Sequence, residues 1–200
     1  MMSIDLSTKE YLSTPTVFAD MFNMHFFHGM QIIKPSYLEE RNVEKIVERD
    51  KKLEHCYRYI LMVQKSDGNT DYLLLGIESQ SKVDKSMPIR SLNYDAMELM
   101  KQVEAKVKRY IPVVTLVILF KPDKWNGPKT LKEVFADQDN PLLPFVDDYH
   151  LHLITPYDLS EAMLNRFSTD AGKVMTCIKY SKDLGKLRDF MMNNGSISVK

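Results

Sequence analysis

The chain has 200 residues, enough for one ordinary domain, and its 44% apolar and 27% charged residues exclude a disordered polymer. The longest apolar run, Ile111 to Phe120, is broken by Pro112 and Thr115 and falls well short of the roughly 20 residues a membrane helix needs. Lys plus Arg number 27 and Asp plus Glu 27, so no whole-molecule field draws the chain to nucleic acid or anionic lipid, and any such binding has to be local.

The opening MMSIDLSTKE carries Asp5 and no hydrophobic stretch behind a basic cap, unlike a secretory signal. Cys56 and Cys177 form no disulfide framework and no metal-knuckle spacing. The expectation is a soluble, cytoplasmic, reduced protein. There is no repeat and no Gly/Ser or Pro-rich linker, so residues 1–200 read as a single domain.

Thr14-Pro15 supplies a cap and a first-turn proline for a short helix through Val17, Phe18, Met21 and Phe22, which carries Asp20 and Asn23. From Tyr37 to Leu53 the charges are dense and sign-alternating, as in a solvated helix or loop. Tyr57 to Gln64 is strand-prone, Ser66 to Thr70 is turn chemistry, and Tyr72 to Gln80 is a second strand, which together make a β-hairpin. A four-residue loop sets Tyr59 opposite Glu78; a two-residue loop shifts its partner to Gly76. In either register positions 59, 76, 78 and 80 share one face.

Ser86-Met87-Pro88 opens a helix with apolar positions Leu92, Ala96, Leu99/Met100, Val103 and Val107, running to Arg109 before Pro112. Val113 to Phe120 is a largely apolar run rich in β-branched residues, as in a central strand covered on both faces by helices. Trp125 to Pro128 is a turn, Thr130 to Glu133 is a capping box, Tyr149 to Ile154 is a further strand, and Thr169 to Met192 supplies C-terminal helices. The order implies a layered α/β sheet.

Glu78-Ser79-Gln80 ends a strand that otherwise reads Leu-Leu-Leu-Gly-Ile. A carboxylate beside such a strand is costly unless it is paired or binds a cation; the plainer reading is that the strand leaves the core at Glu78. Arg90 and Tyr94 lie one turn apart on the next helix. They suit either a phosphate contact near the site, or packing of Tyr94 with Arg90 paired to Glu98 or Asp95.

FADMFN at 18–23, YLLLGIESQS at 72–81, MPIRSLNYDA at 87–96, PVVTLVILF at 112–120 and KYSKD at 179–183 give the chain a resemblance, over nearly its whole length, to the Rpn-type recombination-promoting nuclease and transposase family. Familiar members continue beyond the equivalent of Lys200, so the resemblance suggests a short or C-terminally truncated member. It implies the PD-(D/E)XK restriction-endonuclease-like fold, a central mixed β-sheet flanked by helices, and a metal-dependent DNA endonuclease. An acid on the first hairpin strand and an acid-x-Lys/Gln pair on the second would hold Mg²⁺ or Mn²⁺, the second pair matched here by Glu78 and Gln80. The resemblance makes Glu78 a ligand, the Ser79 carbonyl a second and Asp20 the helix carboxylate that completes the site; Gln80, which is not a usable base, orients water or phosphate.

Where related sequences read Arg-Asp, this one reads Arg58-Tyr59, so the main ligand position holds a neutral phenol. The expected consequence is a retained fold with nuclease activity reduced or lost. The alternative is an inactive relative that binds DNA or a protein, or a regulatory subunit that has dropped nucleic acid. DNA is the expected partner, with basic excesses over 82–109 and 173–200 as candidate surfaces and no membrane association. Two cuts per duplex would call for a homodimer, although the sequence shows no obvious coiled-coil or self-pairing segment. His25 with His28, and His150 with His152, have metal-pair spacings but no further ligand in view, so an aromatic-rich helix end is the expectation for the first pair and packing or a surface hydrogen bond for the second.

Overall fold

The computed structural model describes residues 2–41, 44–49, 52–57, 60–66 and 71–193. Helix α1 (Met2–Ser13) is followed by α2 (Pro15–Phe27), where Thr14 is the N-cap and Pro15 occupies the first turn, as its fixed φ allows. Helix α2 is buried over most of its length. Its Asn23 side chain holds the following loop, accepting from the Ile33 and Ile32 amides at 2.7 and 3.1 Å and donating to the Ile33 carbonyl at 2.9 Å.

Strands β1 (Leu38–Glu40), β2 (Glu44–Arg49) and β3 (Lys52–Tyr57) come next, so the stretch expected to be a solvated helix or loop is extended instead. β2 and β3 form an antiparallel hairpin, with Glu44 opposite Tyr57 and Arg49 opposite Lys52. Ile46-Val47 is too short an apolar run to announce a strand, and the sequence between the two strands carries no glycine or proline.

Strands β4 (Ile60–Lys65) and β5 (Asp71–Gln80) make the expected hairpin. Ile60 faces Ile77, Leu61 faces Gly76 and Met62 faces Leu75, which is the register of the four-residue loop, with a bulge between Gln64 and Lys65. Tyr59 lies outside the described residues. Helix α3 (Met87–Glu104) then crosses to the central strand β6 (Val113–Leu119), parallel to both β5 and β7 (His152–Ile154). The sheet order is β1-β4-β5-β6-β7, antiparallel on the β1 side and parallel on the β7 side.

Helix α3 stops five residues before Arg109: Lys106 takes a positive φ of 51°, which a helix cannot continue through. The expected helix after Thr130 is one 3₁₀ turn at Lys132–Val134, and its capping side chains are used locally, Thr130 Oγ1 accepting from the Glu133 amide and Glu133 from the Lys129 amide. Helices α4 (Glu161–Leu164), α5 (Ala171–Lys179) and α6 (Leu184–Asn193) follow β7. α4 and α5 meet at Gly172, where a Cβ would stand 2.3 Å from the Leu164 carbonyl oxygen.

Strand alternation divides the interior. Ile60, Met62, Leu75, Ile77, Leu116, Ile118 and Ile154 point to one side, where they pack with α2 and α5. Val117 and Leu119, with Leu153, point to the other and meet Met87 and Tyr94 of α3 and the buried Trp125.

Helix α3 departs from its pattern most. Met87, Pro88, Ser91, Tyr94 and Asp95 are its buried residues, while Leu92, Leu99, Met100 and Val103 are exposed. The polar inner face is tolerated because it is bonded. Asp95 accepts from Thr115 Oγ1 at 2.5 Å and from Tyr149 Oη at 2.7 Å, and Gln102 both donates to and accepts from the backbone of Ile111.

At the end of α2, His25 lies 4.7 Å edge-on to Phe26 and 5.9 Å from His152, whose ring sits 4.7 Å from Phe26. Both histidines therefore pack with aromatic rings, as expected of them. Burial, and secondarily the neighbouring His152, lowers His25 to about 4; burial first also lowers His152. Because the folded-state value of His25 lies below its unfolded value near 6.5, its share of stability is complete above about pH 6.5 and is lost as pH falls towards 4. Urea unfolding at pH 7 and pH 5 should show a loss of about 1 kcal/mol from this group, allowing for its partial exposure, and the His25→Phe variant should lose correspondingly less over the same interval.

Candidate functional site

The β4–β5 hairpin and the first turns of α3 bring the candidate residues together. Glu78 belongs to the α3 face of β5, opposite Val117 on β6, and is only 3% exposed. A carboxylate buried to that degree needs a counter-charge, and Arg90 supplies it: Nη2 donates to Glu78 Oε2 at 3.3 Å and to Tyr94 Oη at 3.1 Å. Nη1 donates to Asp84 Oδ2 at 2.7 Å, and the guanidinium carbon sits 5.8 Å from the Tyr94 ring centroid. Arg90 thus pairs with Glu78 and Asp84, and the alternative partners Glu98 and Asp95 are engaged elsewhere, Glu98 with Lys101 and Asp95 with Thr115 and Tyr149.

Asp84 is the member of this group that sequence reasoning missed. Its carboxylate also accepts from the Ser86 amide and hydroxyl at 2.9 and 2.7 Å, fixing the turn that starts α3. Partial burial alone would raise its pKa, but the bonds from Ser86 and Arg90 outweigh that and hold the carboxyl below its usual range. Burial likewise disfavours the Arg90 charge, yet the bonds to Tyr94 and Asp84, with the field of Glu78, push its pKa up, so the guanidinium stays charged. Asp84-x-Ser86 directly before Met87-Pro88 was the available signal, an Asx turn leading into a helix start.

Ser79 and Gln80 complete β5, both partly exposed, and the Gln80 carbonyl accepts from the Phe120 amide at 2.8 Å. Asp20 is not part of this group. It lies on α2, on the opposite side of the sheet from Glu78, and is fully buried. Oδ1 accepts from the Ser168 amide and hydroxyl at 3.0 and 2.9 Å, and Oδ2 from the Thr169 amide and hydroxyl at 2.8 and 2.7 Å. This carboxylate anchors the turn leading into α5, near the positive end of that helix.

Among the described residues no group of three or more His, Cys, Asp or Glu side chains has the arrangement to hold a metal ion. Magnesium often takes only one or two protein carboxylates and completes its shell with water and substrate. Of the residues the resemblance assigns to a metal, this group holds one carboxylate, Glu78, and Arg90 pairs with it.

The four bonds to Asp20 make a specific expectation. Asp20→Asn should lower the unfolding free energy by roughly 2–4 kcal/mol, because a buried donor then faces donors, and the loss measured in urea should be the same with Mg²⁺ and with chelator. A loss that appears only with metal present would instead place Asp20 among ligands.

No curated protein and no solved structure matched the chain. Among the described residues no helix is long and apolar enough to cross a membrane. The five-stranded mixed sheet flanked by helices is compatible with a PD-(D/E)XK-like fold. Residues 5–193 match the model of the family described as "Putative transposase, YhgA-like", which is of the Rpn and PD-(D/E)XK type, and the chain belongs to that family.

Proposed function

We propose that the chain is a DNA-acting, metal-dependent endonuclease-type protein whose cleavage is weakened by Tyr59 in the acidic ligand position. The observation that carries this reading is the buried Glu78 on a Glu-x-Gln strand end, inside a fold of this family, with a guanidinium and a phenol converging beside it. A divalent cation bound there would polarise a phosphoryl oxygen and acidify an attacking water. Glu78 supplies the retained negative charge, and Gln80, which cannot take up a proton at neutral pH, orients water or phosphate by hydrogen bonding. Arg90, fixed between Glu78 and Asp84, offers a permanently charged planar donor for a phosphate at the site's edge, with Tyr94 holding its orientation.

A second reading, a relative that binds DNA or a partner protein without cutting, is favoured by one feature: Glu78 is already neutralised by Arg90, so a cation has to compete with an internal one. The two readings part in a plasmid assay. Nicking of supercoiled DNA in Mg²⁺ or Mn²⁺ by the parent chain should fall at least roughly 100-fold in Glu78→Gln, since a lost ligand removes several kcal/mol of transition-state stabilisation. Tyr59→Asp should raise it by a similar factor. Absence of cleavage from both the parent chain and Tyr59→Asp, with DNA affinity that falls steeply as salt is added, would establish the binding module instead.

A further inference from the structure

The strongest unabsorbed feature is the outer face of α3. Ile89, Leu92, Ala96, Leu99 and Val103 fall three and four residues apart, the spacing of a two-heptad coiled-coil seam, and Met100 widens it. All of these are exposed, Leu99 at 41%, Val103 at 47% and Met100 at 50%. No charged residue interrupts the seam, while the polar side of the helix lies against the sheet. An amphipathic helix that turns its apolar stripe to water has an incomplete partner set.

We infer that this seam is a homodimer interface, in which α3 of one chain packs antiparallel on α3 of a second copy about a two-fold axis passing beside Ala96. Three observations select a second copy. The seam is self-complementary about its midpoint: antiparallel packing sets Ile89 against Val103 of the other copy and Leu92 against the Leu99/Met100 pair, so apolar meets apolar throughout. The smallest side chain stands at the centre, where two crossing helices approach most closely. The antiparallel direction also brings Glu104 at one end towards the first turn of the partner helix, beside which Lys85 sits, whereas a parallel pairing would set each of these charges against itself.

The exposed apolar surface of this helix and the adjoining Val107 and Tyr110 is on the order of 600 Å² per copy, so two copies together reach the lower end of the roughly 1,200–2,000 Å² that stable specific interfaces bury. The inference concerns assembly and does not depend on nuclease activity. A dimer of this geometry carries two Arg90–Glu78 sites, since both residues lie on the inner side of the helix whose outer side forms the contact.

Sedimentation velocity of the full chain from about 1 to 100 µM tests it. The expected result is a monomer–dimer equilibrium whose dissociation constant rises at least roughly 100-fold in Leu99→Glu and in Ala96→Arg, with thermal unfolding of the protomer unchanged because the introduced charges face water. Under mild oxidation Ala96→Cys should give a disulfide-linked dimer above the background of Cys56 and Cys177, and Lys85→Cys should not, since antiparallel copies hold those positions far apart. A monomer at every concentration, a dimer untouched by Leu99→Glu, or efficient linkage at Lys85→Cys and not at Ala96→Cys would overturn the proposal.

Discussion

The Glu78 carboxylate is buried on a strand whose neighbours are leucine, isoleucine and valine, and this single charge governs how α3 has to lie. A buried anion without a partner costs several kcal/mol, so the element covering that part of the sheet must bring a cation with it. Arg90 is that cation, and it sits on the same side of α3 as Met87, Ser91, Tyr94 and Asp95. Once Arg90 turns inward, the rest of the polar face follows, and its members are bonded in turn: Asp95 to two hydroxyls and Gln102 to the backbone of Ile111. The apolar stripe is left outside. The exposure of leucine, methionine and valine on α3 goes with this bonded polar inner face, and the proposed dimer seam would cover it.

The opposite face of the sheet obeys ordinary rules. Phe18, Met21 and Phe22 of α2 fill it with large side chains, and two polar groups buried there fasten neighbouring segments, Asn23 holding the loop to Ile33 and Asp20 anchoring the turn before α5. Asp20 and Glu78 are both acids on elements that touch the same sheet, but strand alternation and the placing of α2 and α3 on opposite faces separate them. Four donors saturate Asp20, while Glu78 is ion-paired with the Arg90 guanidinium. The first arrangement suits an anchor; the second leaves a charge held by a side chain long enough to exchange partners.

What could be read from sequence follows from how local each signal is. The β4–β5 hairpin was legible, with its register narrowed to two, because turn residues and flanking apolar runs lie close in sequence, and β6 because its apolar run is short and rich in β-branched residues. Glu78 stood out as a charge ending an apolar strand. Three things were not legible. The strands at 44–49 and 52–57 are written in charged residues whose pairing, not their hydrophobicity, makes them strands. The orientation of α3 depends on Glu78, Thr115 and Tyr149, all distant in sequence, so periodicity revealed two faces without revealing which one is inside. The role of Asp20 depends on Ser168 and Thr169, nearly 150 residues away.

The Glu78 carboxylate has a part in the fold that does not depend on the proposed chemistry. Removing the Glu78 charge would leave Arg90 with Asp84 and Tyr94 as its partners and take away its link to β5, so Glu78 has a structural role besides any at the site. At position 59, where the family resemblance calls for an acid, this sequence has a tyrosine instead. The two segments YLLLGIESQS and MPIRSLNYDA contain the Glu78–Arg90 pair that joins the sheet to α3.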